Sequence, residues 1–266
     1  MQKIIETFSL TRRFGSLMAV DELSTCVYEN EIFGLLGPNG AGKTTTIKML
    51  ATLLLPHAGR AAIGGYDIVK NSYQVRKVIG YVPQMISSDP NLTGFENLLI
   101  FAKLYDVPPR TRLKQIEEAF EFMGLKDSKH KMVKNYSGGM IRRLEIAQSL
   151  LHRPKVLFLD EPTMGLDPTA RKIMWEHIDK LRKDYGTTIL LTTHHMEEAD
   201  KLCDRIAIMS FGKVSATDTP INLKQSIGKI DATLDDVFTH YTGSDIDNAT
   251  NFRDVRRTRR VAKRLG

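Results

Sequence analysis

The chain has 266 residues, 42% of them hydrophobic and 26% charged, with a formal net charge of +7. That apolar share supports a sizeable core in one large or two small lobes, yet no apolar run approaches the ~20 residues needed to span a bilayer. Cys26 and Cys203 are the only cysteines and read as small core residues, which excludes a disulfide framework, and with no charged-then-apolar leader the sequence reads as soluble and cytosolic.

From Lys3 to Asp89 short apolar strands alternate with turns at His57-Ala58-Gly59 and Gly64-Gly65. Glu31–Leu36 reads as a buried strand and Thr45–Ala51 as a helix. Between them stands Gly37-Pro38-Asn39-Gly40-Ala41-Gly42-Lys43-Thr44, which fits the phosphate-loop pattern. Its glycines let successive backbone N–H groups turn inward around an anion. The pattern then assigns Lys43 to the β- and γ-phosphates and the Thr44 hydroxyl to Mg²⁺, with the phosphates at a helix N-terminus. A Gly-rich turn can match by accident, but strand, loop and helix in this order favour a nucleotide.

Residues from about Pro90 to Lys134 change character. Phe95–Tyr105 and Arg112–Met123 carry Leu, Ile, Phe and Ala at helical spacing. They read as a separate helical lobe inserted into the core and closed by Ser137-Gly138-Gly139. Met140–His152 is then a helix with Ile141, Leu144, Ala147, Leu150 and Leu151 on one stripe. Ser137 can cap it, and the same helix start can receive another molecule's phosphate.

Val156–Leu159 is an apolar run suited to a central parallel strand. It delivers Asp160 and Glu161 to the ligand-binding edge of the sheet. Asp160 is placed to hold Mg²⁺ through water and Glu161 to act as general base. Alone, the pair reads equally well as an exposed acidic turn. Pro168–Tyr185 is an amphipathic helix with Ile173, Ile178 and Leu181 as core candidates. Thr188–Thr193 is a second buried strand ending at His194-His195. Adjacent residues on a strand point to opposite faces, so only one histidine can serve a site. Glu197–Cys203 reads as a helix, followed by a hairpin of Arg205–Met209 and Gly212–Val214. The basic end, Arg253–Arg264, is either a solvated tail or a segment for nucleic acid or an anionic lipid surface.

Taken in order, these residues resemble the ATP-binding subunit of ATP-binding-cassette (ABC) transporters. The match runs from the N-terminus to about Asp218. It comprises the loop at 37–44, Gln84 after Ile79-Gly80-Tyr81-Val82-Pro83, Tyr136-Ser137-Gly138-Gly139-Met140, Asp160-Glu161, Gly165-Leu166-Asp167 and His194. The resemblance implies an α/β P-loop NTPase: a RecA-like core with a mostly parallel sheet, an N-terminal antiparallel β-subdomain and an inserted α-helical subdomain. It places the cassette at 1–220, the helical part at about 90–150, and a short C-terminal extension with the basic tail at 221–266.

By the same resemblance Phe14 stacks on adenine, and the stretch Gly37 to Thr45 holds the phosphates. Thr44, Gln84 and Asp160 address Mg²⁺. Glu161, His194 and Gln84 serve hydrolysis, and Gln84 also senses the membrane partner. Ser137, Gly138 and Gly139 complete the ATP site of a second cassette, identical or not, with Asp167 crossing the dimer. The signature followed by Ile141-Arg142-Arg143-Leu144-Glu145-Ile146-Ala147 is similar to that of daunorubicin-resistance-type exporters of drugs, lipids or polysaccharides. The implied protein is an ATPase at the inner face of the cell membrane that drives a polytopic permease, with no nucleic-acid partner.

Tyr136 and Met140 depart from the family's usual Leu and Gln, and Met cannot donate an amide hydrogen bond. Leu234–Gly243 follows Gly228-Lys229-Ile230-Asp231 almost directly, without the longer section its relatives carry. Rival readings are an importer ATPase, an ABC-type ATPase of DNA repair or translation, and a P-loop kinase. The first rival differs only in its permease. DNA-repair members usually split their two halves with a long coiled coil, translation members usually carry two cassettes in one chain, and a kinase needs neither the Ser-Gly-Gly helix nor Glu161 after Asp160.

Overall fold

The computed structural model describes residues 2–243, so Arg253–Arg264 lies outside the described residues. The chain opens with two long strands, β1 (Lys3–Phe14) and β2 (Leu17–Tyr28), then β3 (Ile32–Leu36) and helix α1 (Lys43–Leu50). Next come β4 (Ala58–Ile63), β5 (Tyr66–Asp67), α2 (Ser72–Val78) and β6 (Ile79–Val82). The inserted helices are α3 (Gly94–Leu104), α4 (Pro109–Phe122) and α5 (Gly138–Leu150). The chain re-enters the core as β7 (Val156–Asp160), α6 (Pro168–Tyr185), β8 (Thr188–Thr193), α7 (Met196–Leu202), β9 (Arg205–Ser210) and β10 (Lys213–Asp218). Helices α8 (Pro220–Ser226) and α9 (Leu234–Thr242) follow.

The strands form two sheets. A four-stranded sheet runs β2-β1-β4-β5, and a six-stranded sheet runs β10-β9-β3-β8-β7-β6. The first is antiparallel. The second is parallel apart from its β10 edge. The parallel strands are apolar on both faces, and side chains alternate between them. Ile32, Leu36, Leu157, Leu159, Ile189 and Leu191 join the core under the helices. Their neighbours Phe33, Leu35, Phe158 and Leu190 join the core under α1 and the antiparallel sheet.

The helix starts are fixed locally. Thr93 and Glu96 form a reciprocal cap on α3. Ser137 accepts from Met140 N at the start of α5. Asp167 accepts from the N–H groups of Thr169 and Ala170 ahead of Pro168 on α6.

Four readings from the sequence change. The turn set at 57–59 ends earlier, because β4 already begins at Ala58, which pairs with Thr11 of β1, with Gly59 at the register shift that follows. On α6, Ile173 is exposed, and the buried face is Met174, Trp175, Ile178 and Leu181. On α5, Ile141 and Leu150 are only partly buried, while Arg142, Glu145, Gln148 and Ser149 are buried beside Leu144, Ile146 and Ala147. Cys203 is buried, but Cys26 is only half-buried.

The corrected face of α6 is testable by urea unfolding. Ile178→Ala should cost about 2–5 kcal/mol, as for a fully buried aliphatic side chain. Ile173→Ala should stay within about 0.5 kcal/mol, as at a surface position.

Candidate functional site

The strand order brings the chemistry together. β8 lies between β3 and β7, and Leu36 pairs with Thr193 while Asp160 pairs with Thr192. The three strands are parallel, so their carboxyl ends, carrying the loop at 37–42, Glu161 and His194, open on one edge. Two glycines of that loop are required by space. A Cβ on Gly37 would lie 2.1 Å from the Met209 carbonyl oxygen, and one on Gly42 would lie 2.3 Å from that of Ala19. Gly42 also takes a φ of 106°, which disfavours any side chain. The loop ends at the N-terminus of α1, which has no side-chain cap and no acidic residue in its first turn. Its N–H groups are therefore available to an anion.

Lys43, Glu161 and Asp160 are all buried. The Lys43 ammonium donates to the carbonyls of Gly37 at 2.6 Å and Pro38 at 3.1 Å. It also lies 3.1 Å from Glu161 Oε1. The other Glu161 oxygen, Oε2, meets His194 Nδ1 at 2.6 Å. Asp160 Oδ1 accepts from the hydroxyls of Thr44 at 3.0 Å and Thr192 at 2.7 Å. Asp160 Oδ2 is buried with no hydrogen-bond partner. A carboxylate oxygen so placed, next to a hydroxyl, fits a hard cation or its water.

Burial pushes the Glu161 carboxyl up, but the His194 hydrogen bond and the Lys43 charge outweigh it and hold the group below the usual glutamate range. Burial lowers the Lys43 ammonium despite Glu161 and Asp160. Glu161 is therefore a carboxylate, held between the Lys43 ammonium and the His194 ring. Its backbone is left-handed, with φ of 53°, and its N–H donates to the Thr192 hydroxyl at 3.0 Å. Such a conformation costs a non-glycine residue about 1–3 kcal/mol and persists only when its surroundings fix it.

Other sequence candidates lie elsewhere. Gln84 donates to the Met164 sulfur at 3.1 Å. Phe14 is exposed at the end of β1, with the Arg12 guanidinium 4.8 Å from its ring centre. Ser137 and Gly138 are exposed and Gly139 partly so, at the start of α5. The two histidines follow β8, and their rings lie 4.1 Å apart, closer than opposite strand faces allow. His194 meets Glu161, and His195 is the N-cap residue of α7.

The sequence reading missed three supporting residues. Thr192 binds both Asp160 and Glu161; its signal is a hydroxyl that follows the aliphatic run Ile189-Leu190-Leu191, in a strand that also carries Thr188 and Thr193. Arg142 donates to the carbonyls of Asp160, Glu161 and Pro162. Glu198 accepts from Thr163 at 2.7 Å and from Trp175 at 3.0 Å, tying the segment after Glu161 to α6 and α7.

Residues 20–164 match the ABC transporter family. The chain is 44% identical over 225 residues to a daunorubicin resistance ATP-binding protein of Streptomyces coeruleorubidus, covering 84% of this chain and 71% of that one. It is 43% identical over 220 residues to a Nod factor export ATP-binding protein of Ralstonia nicotianae, covering 83% and 68%. The fold superposes on the solved structure of an ATP-binding subunit of an ABC transporter with a TM-score of 0.80 at 28% identity, covering 90% of this chain and 99% of that one.

Glu198 gives this region a pH signature. Burial raises its carboxyl more than the hydrogen bonds from Thr193, Thr163 and Trp175 lower it. A carboxyl raised on folding stabilises fully below its ordinary value of 4.5, and that contribution is lost as pH rises through the folded value. Glu198→Gln stays neutral throughout. Its urea midpoint should gain on the parent chain as pH rises above 4.5; a constant difference would show that Glu198 does not titrate in this way.

Proposed function

Since the chain belongs to the ABC transporter family as an ATP-binding, ATP-hydrolysing subunit, we propose that Lys43, Asp160, Glu161 and His194 do its chemistry at the carboxyl ends of β3, β7 and β8. The observation that carries this reading is the Lys43–Glu161–His194 contact chain beside Asp160. The loop from Gly37 to Thr45 receives the triphosphate, and Phe14 offers a ring face to the base. A phosphate entering the loop competes with Glu161 for the Lys43 ammonium. As Lys43 turns to the phosphate, Glu161 loses a neighbouring cation and becomes a stronger base. It then takes the proton of the attacking water, while His194 holds its second oxygen in place. Asp160, Thr44 and Gln84 would hold Mg²⁺, which would neutralise phosphate charge there.

The exposed start of α5 serves a second site. Ser137, Gly138 and Gly139 present a capped helix N-terminus to the phosphate of a partner cassette, so two chains close head to tail around two ATP. Met140 supplies no amide there, so the serine hydroxyl and the backbone carry the contact.

This ATPase drives a separate membrane permease. Identity of 42–44% to exporter subunits supports outward movement of a drug-like, lipid or polysaccharide cargo. It also favours export over import, and transport over DNA repair or translation. Among the described residues no helix is long and apolar enough to cross a membrane. We place the permease contact at Gln84 and the helical part, about 90–150 of a cassette spanning 1–220. Met85, Ile86, Ile100 and Leu104 are exposed there, an apolar surface that a protein partner would cover. That contact holds the subunit at the inner face of the membrane.

Four substitutions test these roles. Lys43→Ala should abolish turnover, because the phosphates lose their charged donor. Glu161→Gln should keep ATP binding, lower kcat by roughly 10²–10⁴-fold, and accumulate as an ATP-bound dimer in light scattering. A monomer under saturating ATP would contradict the shared site. Ser137→Arg should block turnover while Met140→Gln changes it little; the reverse pattern would contradict the assignment of the α5 start.

A further inference from the structure

Helix α5 buries an ion pair that the hydrolysis chemistry does not use. Arg142 and Glu145 lie one turn apart, with Arg142 Nη1 3.1 Å from Glu145 Oε2, and both are buried. Two buried charges are unfavourable unless their remaining donors and acceptors are satisfied. Here those partners come from two distant loops. Toward the catalytic strand, Arg142 Nη2 donates to the Asp160 carbonyl at 2.8 Å and the Glu161 carbonyl at 3.3 Å, and Nε donates to Pro162 O at 3.1 Å. Toward the loop after β6, Nη1 donates to Pro83 O at 2.6 Å. Glu145 Oε1 accepts from both the N–H and the hydroxyl of Ser87.

The carbonyls held on one side bracket Glu161, whose left-handed backbone needs fixing from outside. The groups held on the other side, the Pro83 carbonyl and the Ser87 N–H and hydroxyl, bracket Gln84: Pro83 precedes it and Ser87 lies three residues beyond it. Arginine suits this position because its planar fork offers five donors in fixed directions, which a lysine point charge cannot match.

We propose that the Arg142–Glu145 pair is a positioning device linking the 83–87 loop to the backbone of Glu161. Movement of that loop, by a membrane partner or by nucleotide, reaches the general base through one guanidinium. Neither residue touches substrate. This inference rests on the reading of Glu161 as the base, and α5 carries it because the same helix starts at Ser137.

The test compares the parent chain with Arg142→Lys, with the double variant Arg142→Gln/Glu145→Gln, and with Glu161→Gln. The double variant leaves neither charge buried alone. The lysine variant keeps the charge but cannot span both loops, and it serves if the double variant does not fold. For each, kcat and KM for ATP, ATP affinity in EDTA and the thermal midpoint are measured. Amide exchange at residues 85–87 and 161 is followed with and without a non-hydrolysable ATP analogue and magnesium.

The expected result for the Arg142 variants is a kcat lowered at least about tenfold, since a displacement of the order of 1 Å at a reacting group costs up to ~100-fold. ATP affinity in EDTA should stay within about threefold, far below that loss. Exchange should rise at both segments, and the analogue should no longer change them together. Parent-like kcat in a folded Arg142 variant would overturn the inference. So would a loss of affinity as large as the loss of kcat, which marks general damage. Unchanged turnover in Glu161→Gln would instead overturn the reading of the base, so the two failures are distinguishable.

Discussion

The Lys43 ammonium and the Glu161 carboxylate, 3.1 Å apart and both buried, are the contact on which the rest of the site depends. Neither charge is stable away from water alone. Each is satisfied by groups at the ends of three adjacent parallel strands: the carbonyls of Gly37 and Pro38, and the imidazole of His194. The sheet order β3-β8-β7 is what makes this possible. With β8 anywhere else, His194 and Thr192 could not lie between the phosphate loop and the two carboxylates. On the proposed reading, the same ammonium is what a phosphate would claim, so nucleotide binding and the basicity of Glu161 are set by one competition.

The backbone around Glu161 is a second constraint, and it reaches further. Its left-handed conformation directs the N–H to Thr192 and the carbonyl to Arg142. Thr192 belongs to the parallel sheet and Arg142 to the inserted helices. Glu161 therefore sits where the two parts of the cassette meet, and so does Pro83. Thr163, two residues on, is held by Glu198 of α7. Three elements, β8, α5 and α7, thus fix the segment that follows β7.

The arrangement of the candidate site was largely legible in the sequence because its parts are local. A strand, a glycine loop and a helix in succession point to a phosphate site, and the apolar run 156–159 ends in Asp160 and Glu161 at the carboxyl edge of the sheet. Less legible were features that depend on partners far along the chain. The stripe on α5 was read from its aliphatic residues alone. Nothing local shows that Arg142 and Glu145 are buried, because the carbonyls that satisfy Arg142 come from residues 83 and 160–162. Ile173 was placed in the core of α6 by residue type, whereas Met174 and Trp175 occupy that face. Ala58 and Gly59 look like a turn by composition, but the pairing of Ala58 and Arg60 with β1 draws both into a strand. The two histidines were assigned opposite faces by strand geometry, which ends at Thr193, one residue too early to govern them.

The most direct test is ATP affinity in EDTA, where no turnover occurs, for the parent chain, Glu161→Gln, Lys43→Ala and Lys43→Ala/Glu161→Gln. If phosphate and Glu161 compete for one ammonium, removing the carboxylate's charge frees Lys43. Glu161→Gln should then bind ATP about tenfold tighter, equivalent to about 1.4 kcal/mol. The gain should vanish in the Lys43→Ala background, where there is no ammonium to release. Binding by Glu161→Gln no tighter than by the parent, or an equal gain with and without Lys43, would contradict the competition.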